Sequence, residues 1–326
     1  MRKIHGITII AFLALAMSAG AAEWVLKAGH VLPVEHPYHL GYQKMGEELA
    51  KRSGGRIEVK IFPNSQLGNE RDLFEGCQIG TVDLAIGATA PLANFTPEFL
   101  IFDLPYLFES KEHAYAALDG EFGDKKMASL EEHDMIGLSF WEVGFFHILQ
   151  NRRPIHKVED AKGMTIRVME NVLFMAMLQA LDANPVPMAW SEVFTSIQNG
   201  TVDGTSNPIV TIYTSKLYTI AKYFCLNDAI YSPAPLIMAK STYDSMPPDL
   251  QQLMRDVANE VKAYQRDLFR EYEERALKEM AEQGVEIFRV EDKTPWVNLM
   301  KEKVWPNYVG SRIDADEVKL VESFKK

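Results

Sequence analysis

Between Pro247-Pro248-Asp249 and Gly284 the chain offers no helix breaker, and Leu250, Leu253, Met254, Val257, Val261, Tyr264, Leu268 and Tyr272 recur at helical spacing. Proline suits the first turn of a helix and glycine its end. Residues 248–283 therefore read as one helix of about 36 residues, which at 1.5 Å per residue reaches ~54 Å. That exceeds the span of a single α/β lobe, so this helix is expected to lie along two.

The rest of the chain supplies two such lobes. Strands at 24–28, 56–61 and 82–86 alternate with helices at 38–51 and 69–79, a βαβαβ order. A helical stretch at 112–132 and a strand at 136–141 follow. A strand at 164–168 then leads into a helix at 171–181, broken by Asn184-Pro185. A second helix begins near Ser191, with Glu192 in its first turn, and stops at Asn199-Gly200. Thr201 and Val202 begin a short strand that Asn207-Pro208 ends. Gln-x-Gly-Thr-Val-Asp occurs twice, from Gln78 and from Gln198, each time at a helix–Gly–strand corner. Such an echo fits a pseudo-symmetric pair of lobes. Residues 144–150 read as the crossing between them, and Ser232-Pro233-Ala234-Pro235 as the return, since proline suits a linker better than a central strand. The expected division is 22–145 with 234–272 in the first lobe and 146–233 with 273–326 in the second. The shorter helices after residue 284 are expected to pack on the second lobe.

Arg167 and Asn207 fall near the ends of neighbouring strands. In open α/β sheets ligands bind in the crevice at strand ends. A planar, permanently charged guanidinium there can grip a carboxylate through two parallel hydrogen bonds. An ordinary ion pair with a nearby Glu would also place an Arg at a strand end.

Composition narrows the classes further. The chain has 34 basic and 45 acidic residues, for a net charge of −11. An acidic chain without basic runs argues against nucleic-acid or anionic-membrane partners. Residues 1–21 resemble a secretory signal, with Arg2-Lys3, an apolar run from Ile9 to Met17 and Ala19-Gly20-Ala21. No Cys lies beside that cleavage site to carry a lipid, so a Gram-negative periplasm is the expected location. Cys77 and Cys225 sit in apolar contexts and are expected to be buried thiols. His30, His36 and His39 cluster without the spacing of a metal motif, and no G-x-S-x-G, Walker or HExxH pattern occurs. No metal, cofactor or catalytic residue is expected.

The pieces Gly163-x-x-Ile166-Arg167-Val168, Asn184-Pro185-x-Pro187-Met188, Trp190-Ser191-Glu192-Val193, Gly200-x-Val202-Asp203-Gly204 and Asn207-Pro208 stand in a specific order. Upstream lie Gly54-Gly55-Arg56, Phe62-Pro63, Gln66-Leu67-Gly68 with Glu70, Gly80-x-Val82-Asp83 and Leu104-Pro105-Tyr106. Together, over residues 24 to 290, they resemble the DctP-type solute-binding proteins of tripartite ATP-independent periplasmic (TRAP) transporters. The resemblance implies a two-lobed, type II-like periplasmic binding protein with crossover hinge strands and a helix spanning both lobes. It also implies a monomer that hands a small organic anion to TRAP membrane permease subunits, driven by an ion gradient, with no chemistry of its own. Arg167 and Asn207 match the family's carboxylate-binding pair, Trp190 a pocket aromatic, and Glu170 a pocket polar position.

Departures from the pattern shape the expected ligand. Many relatives carry a second basic residue where this chain has Phe146 followed by His147, and a Glu where it has Ser206. The corner after Asp83 carries no charge. The expected cleft residues are Arg167, Asn207, Trp190, Phe146, Glu70, Glu170, Tyr231, Ala88 and Val31, with Ala234 nearby. An apolar cleft disfavours a second ligand charge. The expected ligand is thus a monocarboxylate with an aromatic or branched body, such as an aromatic 2-oxo acid, amino acid or aryl acid, Glu70 or Glu170 being able to pair with an amino group. The alternative is a C4-dicarboxylate with His147 or Arg152 as second anchor.

Overall fold

The protein is described here from a computed structural model covering residues 21–325. The expected signal sequence lies outside them except for its last residue. One mixed sheet of nine strands runs through both lobes. Its strands are β1 (Trp24–Gly29), β2 (Ile57–Phe62), β3 (Leu84–Ile86), β4 (Met135–Gln150), β5 (Thr165–Val168), β6 (Asn184–Pro187), β7 (Gly204–Pro208), β8 (Tyr223–Ala239) and β9 (Glu286–Arg289). The order is β2-β1-β3-β8-β4-β7-β5-β6, with β9 beside β8. β1 pairs in parallel with β2 and β3 in the first lobe, and β5 in parallel with β6 and β7 in the second. The helices Pro37–Arg52 and Glu70–Gln78 supply the crossovers that parallel strands require.

The crossings are not linkers. β4 and β8 are long antiparallel partners that belong to both lobes, and the stretches expected at 136–141 and 144–150 are one strand. Pro233 and Pro235 lie inside β8, opposite Glu142 and Phe140. They are tolerated because β3 pairs with β8 only at Leu236–Met238, so the missing N–H groups fall beyond the end of that ladder. The β4–β8 register shifts between Gly137 and Ser139, between Glu142 and Gly144, and between Phe146 and Ile148. Gly144 holds φ +95°, where a Cβ would sit 3.2 Å from Phe269. Bulges of this kind bend a strand pair and concentrate its twist.

The long helix forms as expected, over Pro248–Glu282. Its apolar stripe is interrupted at the hinge: Tyr264 is exposed, and Gln265, Arg266 and Phe269 are buried instead. The Gln265 side chain clasps the bulge, accepting from the Glu142 N–H at 2.8 Å and donating to the Glu142 C=O at 2.9 Å.

Other elements differ from expectation. Residues 112–132 break into Lys111–Leu118, Glu121–Ser129 and a final 3₁₀ turn, with Gly120 between the first two. Trp190–Glu192 is 3₁₀ before the helix Val193–Gln198. β7 starts at Gly204 rather than Thr201, and the Asn184-Pro185 break is itself β6, an edge strand where proline costs no ladder bond. The last helix, Ala315–Ser323, was expected on the second lobe. It packs on the helices at 111–129 instead, through His113 Nε2 with the Val321 C=O (2.7 Å) and Lys126 with Glu317 (2.6 Å).

Candidate ligand-binding cleft

The ends of β5 and β7 bring Arg167 and Asn207 together. Arg167 is buried, and its Nε and Nη2 both donate to the Met188 C=O, at 3.0 and 2.7 Å. Met188 reaches that position because its own N–H bonds the Val168 C=O where β6 ends. Nη1 donates to Asn207 Oδ1 at 3.4 Å, and Thr205 Oγ1 donates to the same oxygen at 2.6 Å. With Oδ1 thus engaged, the Asn207 amide presents its NH₂ to the cleft. One N–H remains on each terminal nitrogen of Arg167, and these form the end-on fork that matches a carboxylate. Trp190 lies beside the guanidinium, its ring centre 5.8 Å from Cζ. Burial pushes the Arg167 pKa down to about 10, against the nearby charges of Glu70, Glu170 and Glu192, so it remains a cation at neutral pH.

The first lobe supplies the facing wall. Glu70 opens the helix Glu70–Gln78, and its Oε1 accepts from the Ala88 N–H at 3.0 Å. That approach requires Gly87, whose Cβ would lie 2.8 Å from the same oxygen. Burial raises the Glu70 carboxyl to about 7, with the Ala88 N–H and Arg167 pulling the other way.

Val31, Glu70, Ala88, Phe146, Arg167, Trp190 and Asn207, all expected from the sequence, line one cleft of about 30 Å³. Two others do not. Tyr231 is buried in the core, 5.2 Å from Phe145 and 5.6 Å from Phe108 between ring centres, and Ala234 is likewise sealed off in β8. Glu170 is exposed outside the cleft, and only its backbone C=O is engaged, by Asn94. Leu32, Tyr38, Val143, Met169, Pro208 and Thr211 complete the lining and were not foreseen. Thr211 had a legible signal, since it follows Asn207-Pro208 in the first turn of the helix Ile209–Thr214. The alternative second anchors lie elsewhere. His147 is buried against Asp228, its pKa lowered by burial to about 4, and Arg152 is an exposed partner of Asp203.

The lobes also meet beside the cleft. Asn171 caps the helix Val172–Ala180 with its Oδ1, while its NH₂ reaches the first lobe at the Ala90 C=O (3.1 Å) and Asp103 Oδ2 (2.9 Å). Asp103 Oδ1 accepts from Thr89, whose hydroxyl contacts Ser232 in β8 at 2.9 Å. Burial raises the Asp103 carboxyl to about 8 despite these donors. Among the described residues no cluster of three His, Cys, Asp or Glu side chains is arranged to hold a metal. His30 and His39 bond each other at 3.1 Å, and both cysteines are buried thiols.

Two lobes joined by the shared β4–β8 ribbon, with a buried guanidinium lining the cleft, define a binding protein for small anionic solutes. Residues 28–309 match the family of bacterial extracellular solute-binding proteins, family 7, called DctP, and the chain belongs to that family. It is 31% identical to the C4-dicarboxylate-binding periplasmic protein DctP of Rhodobacter capsulatus, with 88% of this chain and 87% of that protein aligned. Among solved structures, a TRAP periplasmic solute-binding protein from Polaromonas bound to D-erythronate superposes with a TM-score of 0.90 at 31% identity, covering 93% of this chain and 99% of the other. Another, from Bordetella, with density interpreted as pantoate, gives 0.89 at 31% identity, covering 93% and 99%. The TRAP resemblance read from the sequence is therefore correct.

Proposed function

We propose that the protein captures a small organic monocarboxylate with a compact, apolar or branched body and delivers it to TRAP membrane permease subunits. The observation that carries the reading is the open end-on fork of Arg167, flanked by the free amide of Asn207, as the only cationic group lining the cleft among the described residues. Around it the lining is mainly Val31, Leu32, Val143, Phe146, Met169 and Trp190. Stripping water from a second, unpaired ligand carboxylate would cost several kcal/mol there, and Glu70 would repel it. The acids named for the Polaromonas and Bordetella proteins, D-erythronate and pantoate, are compact monocarboxylates that carry hydroxyl groups; they support the single carboxylate and not the apolar body. The second reading, a C4-dicarboxylate, is favoured by the Rhodobacter relative.

The remaining parts of the reading are binding without turnover, a periplasmic location after removal of residues 1–21, and a monomer. Lobe boundaries near residues 145, 233 and 272 belong to it too. A thermal-shift panel of carboxylates tests the ligand class. An acid present at 100 times its Kd adds about 2.7 kcal/mol to stability. Branched monocarboxylates are expected to raise the melting temperature and succinate is not; stabilisation by succinate alone would establish the second reading.

A further inference from the structure

We propose that Thr205 is a positioning residue for ligand binding: its hydroxyl holds the Asn207 amide in one orientation, so that Asn207 meets the ligand only as a donor. This rests on the carboxylate reading above and adds a residue to it.

Thr205 and Asn207 stand two residues apart in β7, so they share one face of the strand, and Ser206 takes the other. β7 is held from both sides at this point, Thr205 lying opposite Leu149 in β4 and Arg167 in β5. Thr205 is fully buried and does not line the cleft, so it acts on a ligand only through a neighbour. Its branched side chain has little freedom at χ1. A paired strand and a stiff side chain together bring the hydroxyl to one fixed point.

That point is Asn207 Oδ1. An amide has a donor end and an acceptor end of the same shape, and its neighbours decide which end faces where. Thr205 Oγ1 donates to Oδ1 at 2.6 Å and Arg167 Nη1 donates to it at 3.4 Å. The two lone pairs of the oxygen are then both engaged, and the NH₂ is the part of Asn207 left for the cleft.

The two bonds differ in kind. The longer one comes from the guanidinium that a bound carboxylate also uses, so the ligand competes for it. The shorter one comes from a group that no ligand reaches, and it persists whether the cleft is empty or filled. Thr205 therefore presets the amide before the acid arrives, and binding spends nothing on orienting it. With the amide so held, Arg167 and Asn207 offer an acid N–H donors alone, which suits two carboxylate oxygens and no proton.

Calorimetry tests this with 3-methylbutanoate, 3-methyl-2-oxobutanoate and succinate as probes. Thr205→Val exchanges the hydroxyl for a methyl and is expected to weaken binding of any probe that the wild type takes roughly tenfold, the scale of one hydrogen bond. Thr205→Ser keeps the hydroxyl and is expected to bind as the wild type does. In an Asn207→Ala background Thr205→Val is expected to cost nothing more, because residues that act as one unit are not additive. Unchanged affinity in Thr205→Val would overturn the proposal. So would an equal loss in Thr205→Ser, or a full further loss in the Asn207→Ala background, since either would mark a packing role; acid binding itself would stand. Should Thr205→Val fail to fold, Thr205→Ser against Thr205→Ala makes the same comparison without the methyl, and equal affinities of that pair would overturn the proposal. Binding of none of the three probes by the wild type would remove the carboxylate reading and this one with it.

Discussion

Arg167 spends three N–H groups on Met188 and Asn207 and keeps two for a ligand. Arg167→Lys preserves the charge but loses the fork, and acid binding is expected to weaken by roughly 2–4 kcal/mol with little effect on folding; unchanged affinity in calorimetry would sink the contact. Glu70 and Asp103 make a second expectation. Burial raises them to about 7 and about 8, above the ordinary carboxylate range, so each holds its proton more tightly folded than unfolded. Their ionisation thus costs folded stability, which is fully present at low pH and lost as pH rises through these values. Above pH 6.5 the buried His30 and His147, lowered to about 3 and about 4, are neutral and do not mask the trend. The melting temperature is expected to fall from pH 6.5 to 8.5, and to fall less in Asp103→Asn; parallel curves for the two proteins would contradict this. Arg167 and Asn207 were legible because strand-end position and spacing both marked them. Tyr231 was misplaced because alternation along β8 was not carried through. It pairs with Phe145, so the two share the face away from the cleft, while Phe146 takes the other. Tyr38 gave no signal, since a helix start says nothing about which wall its first turn builds.

At the scale of elements, the hinge is a ribbon of two long strands clasped by one side chain. Replacing Gln265 with Leu would leave the Glu142 N–H and C=O buried without partners, at about 1–3 kcal/mol per orphaned group. Gln265→Leu is expected to lower the free energy of unfolding obtained from urea titration by about 2–6 kcal/mol for the two groups, read as a lower midpoint; an unaltered midpoint would mean the clasp carries no stability. Helix periodicity located the long helix closely, because thirty-five residues of regular patterning outweigh end effects. Periodicity could not show that its buried stripe turns polar at Gln265 and Arg266, since those positions are decided by the β4 bulge they meet. Pro233 and Pro235 misled for a related reason. Proline excludes a central ladder only where a neighbour needs the N–H, and the end of β3 is a fact of register that local sequence does not carry.

For the whole molecule, the Asn171, Asp103 and Ala90 contacts tie the lobes together on one side while the cleft lies between their walls. A bound acid that bridges those walls favours the closed form, and the radius of gyration from X-ray scattering is expected to shrink when a binding carboxylate is added; identical profiles with and without it would exclude a closing cleft. The wiring of the chain's end has another outcome. His113 and Lys126, in helices from the N-terminal half of the chain, find their partners at Val321 and Glu317. These contacts join residues 208 and 191 positions apart, and pairings of such separation slow folding, however early β1 and β2 pair. Completion of the helices at 111–129 is thus tied to a segment about two hundred residues downstream, and a chain interrupted before Ala315 leaves His113 and Lys126 without these partners.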